Sequence, residues 1–193
     1  MERRRLEARH GWVDTVTDQG LVYCWTDLPD GSTRAYWDET ACYAFRAEEV
    51  DELERTAAGL WDLCIEAGDH MLANGWLDRM GVPAEAHALI RQSWKTEPPA
   101  LYARLDLRYD GTGPAKLLEF NADTPTSILE AAAIQWFWLE DRFPGADQWN
   151  SLHDRLVAKW RDIADSWKPD GPLHVCWTEA QDSGEDLMNV GYL

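Results

Sequence analysis

Apolar positions recur at alternating spacings of three and four from Val50 through Leu53, Ala57, Leu60, Cys64 and Ala67 to Met71. That period puts all seven on one face and predicts a long amphipathic helix over residues 47–74, stopped at Gly75. A second helix is predicted from Pro83 to Trp94, with Pro83 in its first turn and Glu97-Pro98-Pro99 ending it. The period then becomes two. Leu101, Ala103, Leu105 and Leu107 alternate with Tyr102, Arg104, Asp106 and Arg108, the signature of a half-buried strand. Gly111-Thr112-Gly113-Pro114 turns the chain, and residues 117–121 return as the second strand of a hairpin.

Two further helices are predicted near residues 126–142 and 147–167. Thr124 reads as the N-cap of the first, with Pro125 at its first helical position. Lys168-Pro169-Asp170-Gly171-Pro172 then breaks the chain. The apolar run Leu173–Trp177 reads as the first strand of a new α/β unit, and residues 185–193 as the beginning of a helix. Ahead of all this, residues 1–45 are aromatic and turn-rich, with a short strand at 21–25 and a turn at Leu28-Pro29-Asp30-Gly31-Ser32. They are expected to pack against later residues. The predicted class is mixed, α+β or α/β.

Composition narrows the function classes. Of 193 residues, 45% are hydrophobic, enough for a folded core rather than an acidic disordered chain. The formal charge of −17 opposes a broad nucleic-acid surface or an anionic membrane surface and favours cationic ligands only weakly. No stretch has the length of a membrane span, and the N-terminus has no apolar run behind its arginines, so a cytoplasmic location is expected. Cys24, Cys42, Cys64 and Cys176 have no CxxC spacing and read as reduced, partly buried thiols.

The hairpin carries the candidate chemistry. Strand alternation puts Arg104 with Asp106 on one face, and Glu119 with Asn121 on another. With the turn centred between Thr112 and Gly113, Asp106 faces Glu119 and Arg104 faces Asn121, at roughly 5 Å between Cβ atoms. Two carboxylates at that distance repel unless a cation lies between them, and an all-oxygen set suits Mg²⁺. Arg104 then offers a planar fork to a phosphate or carboxylate. The competing reading is a solvated hairpin face on which Arg104 pairs with Glu119. The helix start at Thr124-Pro125 is either an anion site beside the hairpin or an ordinary cap. Arg91 either reaches an anionic ligand or complements a helix C-terminus. Gln135-Trp136-Phe137-Trp138 is either an aromatic platform or core.

Leu101-Tyr-Ala-Arg-Leu-Asp106 and Leu118-Glu-Phe-Asn-Ala-Asp-Thr-Pro-Thr-Ser127 closely resemble the glutathionylspermidine synthase family, in its stand-alone synthetase-like form. The likeness extends through Ile134–Asp141, Arg91–Trp94, Tyr36-Trp37-Asp38-Glu39 and the final residues 185–193. It implies an ATP-dependent carbon–nitrogen ligase of the ATP-grasp type, which activates a small peptide carboxylate as an acyl phosphate that an amine displaces. By the matching motif, Arg104 holds the transferred phosphoryl group and contacts substrate. Asp106, Glu119 and Asn121 are Mg²⁺ ligands, Thr124 contacts a thiol-peptide substrate, and Thr126 and Ser127 are further substrate contacts. The partners implied are a peptide acid and a polyamine-like amine; the oligomeric state is left open. The resemblance divides the chain into a substrate and metal region, residues 1–170, and the start of a pre-ATP-grasp α/β unit, residues 171–193. The ATP-grasp domain is expected outside this sequence, which leaves the chain an incomplete, inactive ligase. The alternative is a non-catalytic peptide- or anion-binding module, or a docking partner of a separate ATP-grasp chain.

Overall fold

The computed structural model describes residues 1–122, 124–167, 171–172, 174–177 and 184–193. In chain order the elements are β1 (Glu2–Arg5), α1 (Trp12–Asp18), β2 (Trp25–Asp27), β3 (Thr33–Ala35), β4 (Ala41–Ala44), α2 (Ala47–Ala73), α3 (Ala84–Thr96), β5 (Ala103–Arg108), β6 (Lys116–Ala122), α4 (Gln135–Arg142), α5 (Leu152–Trp167) and α6 (Glu185–Tyr192). A single 3₁₀ turn lies at Asp78–Met80, and a π-helical segment, Glu130–Ile134, runs straight into α4. Helices joined to small two-stranded sheets make this an α+β chain. No described helix is long and apolar enough to cross a membrane.

Two compact units divide the chain. The first comprises Met1–Phe45, Leu101–Ala103 and Ala122–Leu193. Its N-terminal part packs against later residues as expected. Val16, Leu21 and Cys24 are buried with Leu129 and Ile134, and Met188 and Tyr192 close over them. A neighbouring cluster joins Ile128 and Ala132 to Leu156 of α5. The strand expected at residues 21–25 is displaced. Leu21 is buried in a loop and pairing starts at Trp25, where β2 meets β3 in the register Trp25↔Ala35. The Leu28–Ser32 turn joins them, closed by Leu28 N–H to Ser32 O at 2.8 Å. β1 pairs antiparallel with β4.

The second unit comprises Arg46–Ala100 and Arg104–Asn121. Helix α2 runs as the apolar stripe predicts, with Leu53 buried on it. Helix α3 packs where α2 has no side chain. A Cβ on Gly68 would sit 2.3 Å from the Trp94 ring, so only glycine admits that approach. The Trp94 indole N–H donates to Asp69 Oδ1 at 2.6 Å. Pro83 is the N-cap of α3 rather than a first-turn residue, its ψ of 141° lying outside the helical range. β5 and β6 form the predicted hairpin.

Two expectations near the C-terminus differ. The strand over residues 173–177 is absent from His174–Trp177, which are exposed and outside any ladder; Leu173 lies outside the described residues. A strand is stable only when its N–H and C=O groups are paired, and apolar content alone does not supply a partner. The domain boundary at residue 170 also lies outside the described residues. Helix α5 begins at Leu152, not near residue 147, where Asn150 Oδ1 accepts the Leu152 N–H at 3.3 Å.

Candidate functional site

On β5, Arg104 and Asp106 are two residues apart and share a face, as alternation requires. The Arg104 Nε–H donates to Asp106 Oδ1 at 2.8 Å, and its terminal nitrogen lies 3.5 Å from Oδ2. The pair is half-buried, with side-chain exposures of 33% and 37%. Arg104 therefore meets its own strand neighbour, and the cross-strand ion pair with Glu119 of the competing reading does not form. Glu119 stands exposed on β6, without a hydrogen bond or ion pair among the described residues. Asn121, two residues on, shares its face. The hairpin turn is held by Asp110, whose Oδ1 accepts from the Thr112 N–H and hydroxyl at 3.0 and 2.9 Å.

Asn121 tests whether this set fits a hard cation. Its Nδ2 is buried and has no partner among the described residues. Turning the amide over places Oδ1 there instead, an acceptor that a cation satisfies. Asp106 keeps Oδ2 nearly unengaged at 3.5 Å from Arg104, and Glu119 is open to solvent. The donors are all oxygens, as Mg²⁺ prefers. The set contains only two carboxylates, and among the described residues no group of three or more His, Cys, Asp or Glu stands ready for a metal.

Thr124 and Ser127 belong to the first unit. Residues 124–126 are not helical, and the helix starts only at Ile128, which corrects the capping expected at Thr124-Pro125. The reason is remote in sequence. Asn189 of α6, fully buried, accepts through Oδ1 from the N–H groups of Ile128 (2.9 Å) and Leu129 (3.4 Å). A side chain about sixty residues away caps this helix, so its first free N–H groups are taken by protein and not by an anion. The Thr124 hydroxyl instead donates to Ala122 O at 3.1 Å. Ser127 turns the chain at φ 59°, a left-handed conformation that costs a non-glycine residue about 1 kcal/mol.

A buried network three residues on had no signal in local sequence. Glu130 is only 7% exposed, and its Oε1 accepts from the hydroxyls of Tyr36 (2.6 Å) and Tyr23 (3.1 Å). Burial pushes both phenols well above their ordinary range, and the Glu130 carboxylate pushes the same way. A lone acidic residue inside the apolar run Ile128–Ile134 was the available clue, but its partners lie 94 and 107 residues earlier.

A second network explains Glu39 and Asp141. Glu39 is buried at 3% exposure and is gripped by Arg9 through Nε at 3.1 Å and a terminal nitrogen at 2.6 Å. Arg9 also bridges to Asp141. The hydrogen bond to Glu39 raises the Arg9 pKa against desolvation, with Asp141 adding to the rise. Arg91 is settled as a helix-end group, donating to Leu72 O near the end of α2 at 3.0 Å. The aromatic run divides: Trp138 is core, while Trp136 and Phe137 are exposed.

Comparison with known proteins places these motifs. The family model described as "Glutathionylspermidine synthase preATP-grasp" matches residues 3–193. The chain is 36% identical over 188 residues to a putative acid–amine ligase of Haemophilus influenzae, covering 96% of this chain and 46% of that protein. It is 38% identical over 79 residues to the glutathionylspermidine synthase of Crithidia fasciculata, covering 41% of this chain and 10% of that one. To the trypanothione synthetase of the same organism it is 26% identical over 138 residues, or 69% of this chain and 21% of that one. The chain thus spans about half the length of the first relative and less of the others.

Proposed function

The chain belongs to the glutathionylspermidine synthase pre-ATP-grasp family, and from that premise we propose that it supplies the metal and acid-substrate groups of an ATP-dependent acid–amine ligase. The observation that carries the reading is the hairpin. A guanidinium and a carboxylate are already paired at 2.8 Å on β5, and Glu119 and Asn121 share a face of β6. That is the donor set phosphoryl transfer needs, where positioning and charge neutralisation supply most of the catalysis.

Asp106, Glu119 and Asn121 would hold Mg²⁺, which would supply neutralisation of charge on phosphoryl oxygens. Arg104, fixed in orientation by Asp106, binds the phosphoryl group as it moves from ATP to the peptide carboxylate. The amine nitrogen then attacks the acyl carbon, the acyl C–O bond breaks, phosphate leaves and the amine loses a proton. Thr124 and Ser127 contact the peptide acid. The groups that hold ATP lie outside residues 1–193, in keeping with the greater length of the relatives. Glutathione and a polyamine such as spermidine are the substrates proposed, after the names of the relatives.

The test is ADP release with Mg²⁺, glutathione and spermidine, from residues 1–193 and from the intact product of the gene. Turnover by the intact product that requires both acid and amine, with little from residues 1–193, is the expected result. Release of ADP indifferent to either substrate, or undiminished by Arg104→Ala, overturns the reading. A chain that binds glutathione but comes from a gene with no ATP-holding portion supports a binding module instead.

A further inference from the structure

A cleft of about 440 Å³ lies within the first unit, between residues 101–103 and α5. That volume is in the range of small-molecule sites. Its floor is apolar. Leu156 is only 6% exposed, and Leu101 and Leu152 pack half-buried against the cluster it forms with Ile128 and Ala132. One face of α5 supplies both floor and charge. Leu152, Leu156 and Lys159, and likewise Arg155, Lys159 and Asp162, follow spacings of three and four and all line the cleft. Arg155 and Lys159 are exposed, so they stand at its rim. The Arg155 Nε–H donates to Ser151 Oγ at 2.9 Å, which fixes the guanidinium and leaves its terminal nitrogens uncommitted. Lys159 makes no hydrogen bond or ion pair among the described residues. One carboxylate, Asp162, also lines the cleft, three residues beyond Lys159 and not paired with it. In a chain of formal charge −17, the rim is locally positive.

We propose that this cleft binds a small amphipathic acid, its apolar body on Leu101, Leu152 and Leu156 and its carboxylate between Arg155 and Lys159. The occupant follows from the pairing of the two surfaces. A purely apolar ligand leaves two cations partly desolvated without a counter-ion. An inorganic anion leaves the leucines uncovered. An amphipathic acid satisfies both, and a guanidinium with two free nitrogens suits a carboxylate in particular. The negative charge of the whole chain opposes an anionic membrane surface and favours a soluble acid. The proposal does not depend on the ligase reading.

The experiment is amide NMR titration of the protein with octanoate and with 1-octanol, which share the chain and differ in the head group. Octanoate is expected to shift amides of residues 101–103 and 152–162 and to bind about tenfold more tightly than octanol. Lys159→Gln removes the charge and keeps most of the stem; it should take away most of that preference and leave octanol unchanged. Ala158 lines the same cleft, and Ala158→Trp should fill it and exclude both ligands. Lys159 and Ala158 are exposed, so neither variant enters the core, and melting curves check the fold. Equal affinity for octanoate and octanol shows cations that only cover the leucines with their stems, and overturns the proposal. Shifts scattered away from the cleft overturn it too, as does octanoate binding undiminished by Ala158→Trp. Binding of phosphatidylglycerol vesicles with no response to octanoate assigns the face to a membrane and overturns it as well.

Discussion

Asn189→Ala should destabilise the first unit far more than removal of one polar side chain from α6 suggests. Its Oδ1 serves two N–H groups at the start of the Ile128 helix, at 2.9 and 3.4 Å, and the side chain is fully buried. Alanine leaves both donors in the dark with no water to replace the oxygen. A buried donor left unsatisfied costs about 1–3 kcal/mol, the shorter bond counting toward the upper end and the longer toward the lower. With a small vacated volume added, the loss is roughly 2–4 kcal/mol. At about 2–4 °C per kcal/mol for a chain of this size, Tm falls by roughly 4–16 °C. Thermal melts followed by circular dichroism read the loss. An unchanged Tm for Asn189→Ala would refute the assignment of Asn189 as the cap.

Three more outcomes follow from the packing and the turns. Gly68→Ala drives a methyl to 2.3 Å from the Trp94 ring; overpacking toward the upper end of about 1–3 kcal/mol, offset by about 1 kcal/mol of helix propensity, leaves a net loss of up to about 2 kcal/mol. Urea melts should show that loss vanish in a Trp94→Leu background, and a loss that persists there contradicts the contact. Arg9→Met strands the buried Glu39 carboxylate and should cost about 3–5 kcal/mol, much of it recovered by adding Glu39→Gln in the double variant. Asp30, Asp38 and Asp110 each accept from a Ser or Thr two residues on, and these bonds hold their carboxyl pKa values below the ordinary range. Their contribution to stability is present above the unfolded value of about 3.9 and is lost as pH falls through the lower folded values. Carboxyl NMR titration should find all three below their usual range; ordinary values would contradict the turn geometry.

Legibility in the sequence tracked distance along the chain. The α2 stripe from Val50 to Met71 and the alternation from Leu101 to Arg108 are local periods, and both elements formed, the strand starting two residues late at Ala103. Arg104 and Asp106 are two residues apart on a strand, so their shared face could be read directly. Thr124-Pro125 failed as a helix start because the decisive cap, Asn189, arrives from a separate helix. Local capping rules see a Thr-Pro pair but not a buried amide about sixty residues away that takes the N–H groups of Ile128 and Leu129. Glu130 was invisible for the same reason, its phenols lying far upstream. At Leu173–Trp177, apolar content suggested a strand, but nothing local to that run specifies the neighbour a ladder needs.

We propose that the hairpin holds a hard divalent cation, which is tested by line broadening of backbone amides by Mn²⁺ standing in for Mg²⁺. Broadening is expected to centre on Asp106, Glu119 and Asn121 at low Mn²⁺, to be reversed by excess Mg²⁺ and to be abolished by Glu119→Gln without loss of fold. Broadening spread evenly over the acidic surface, or a hairpin signal indifferent to Glu119→Gln, would contradict it.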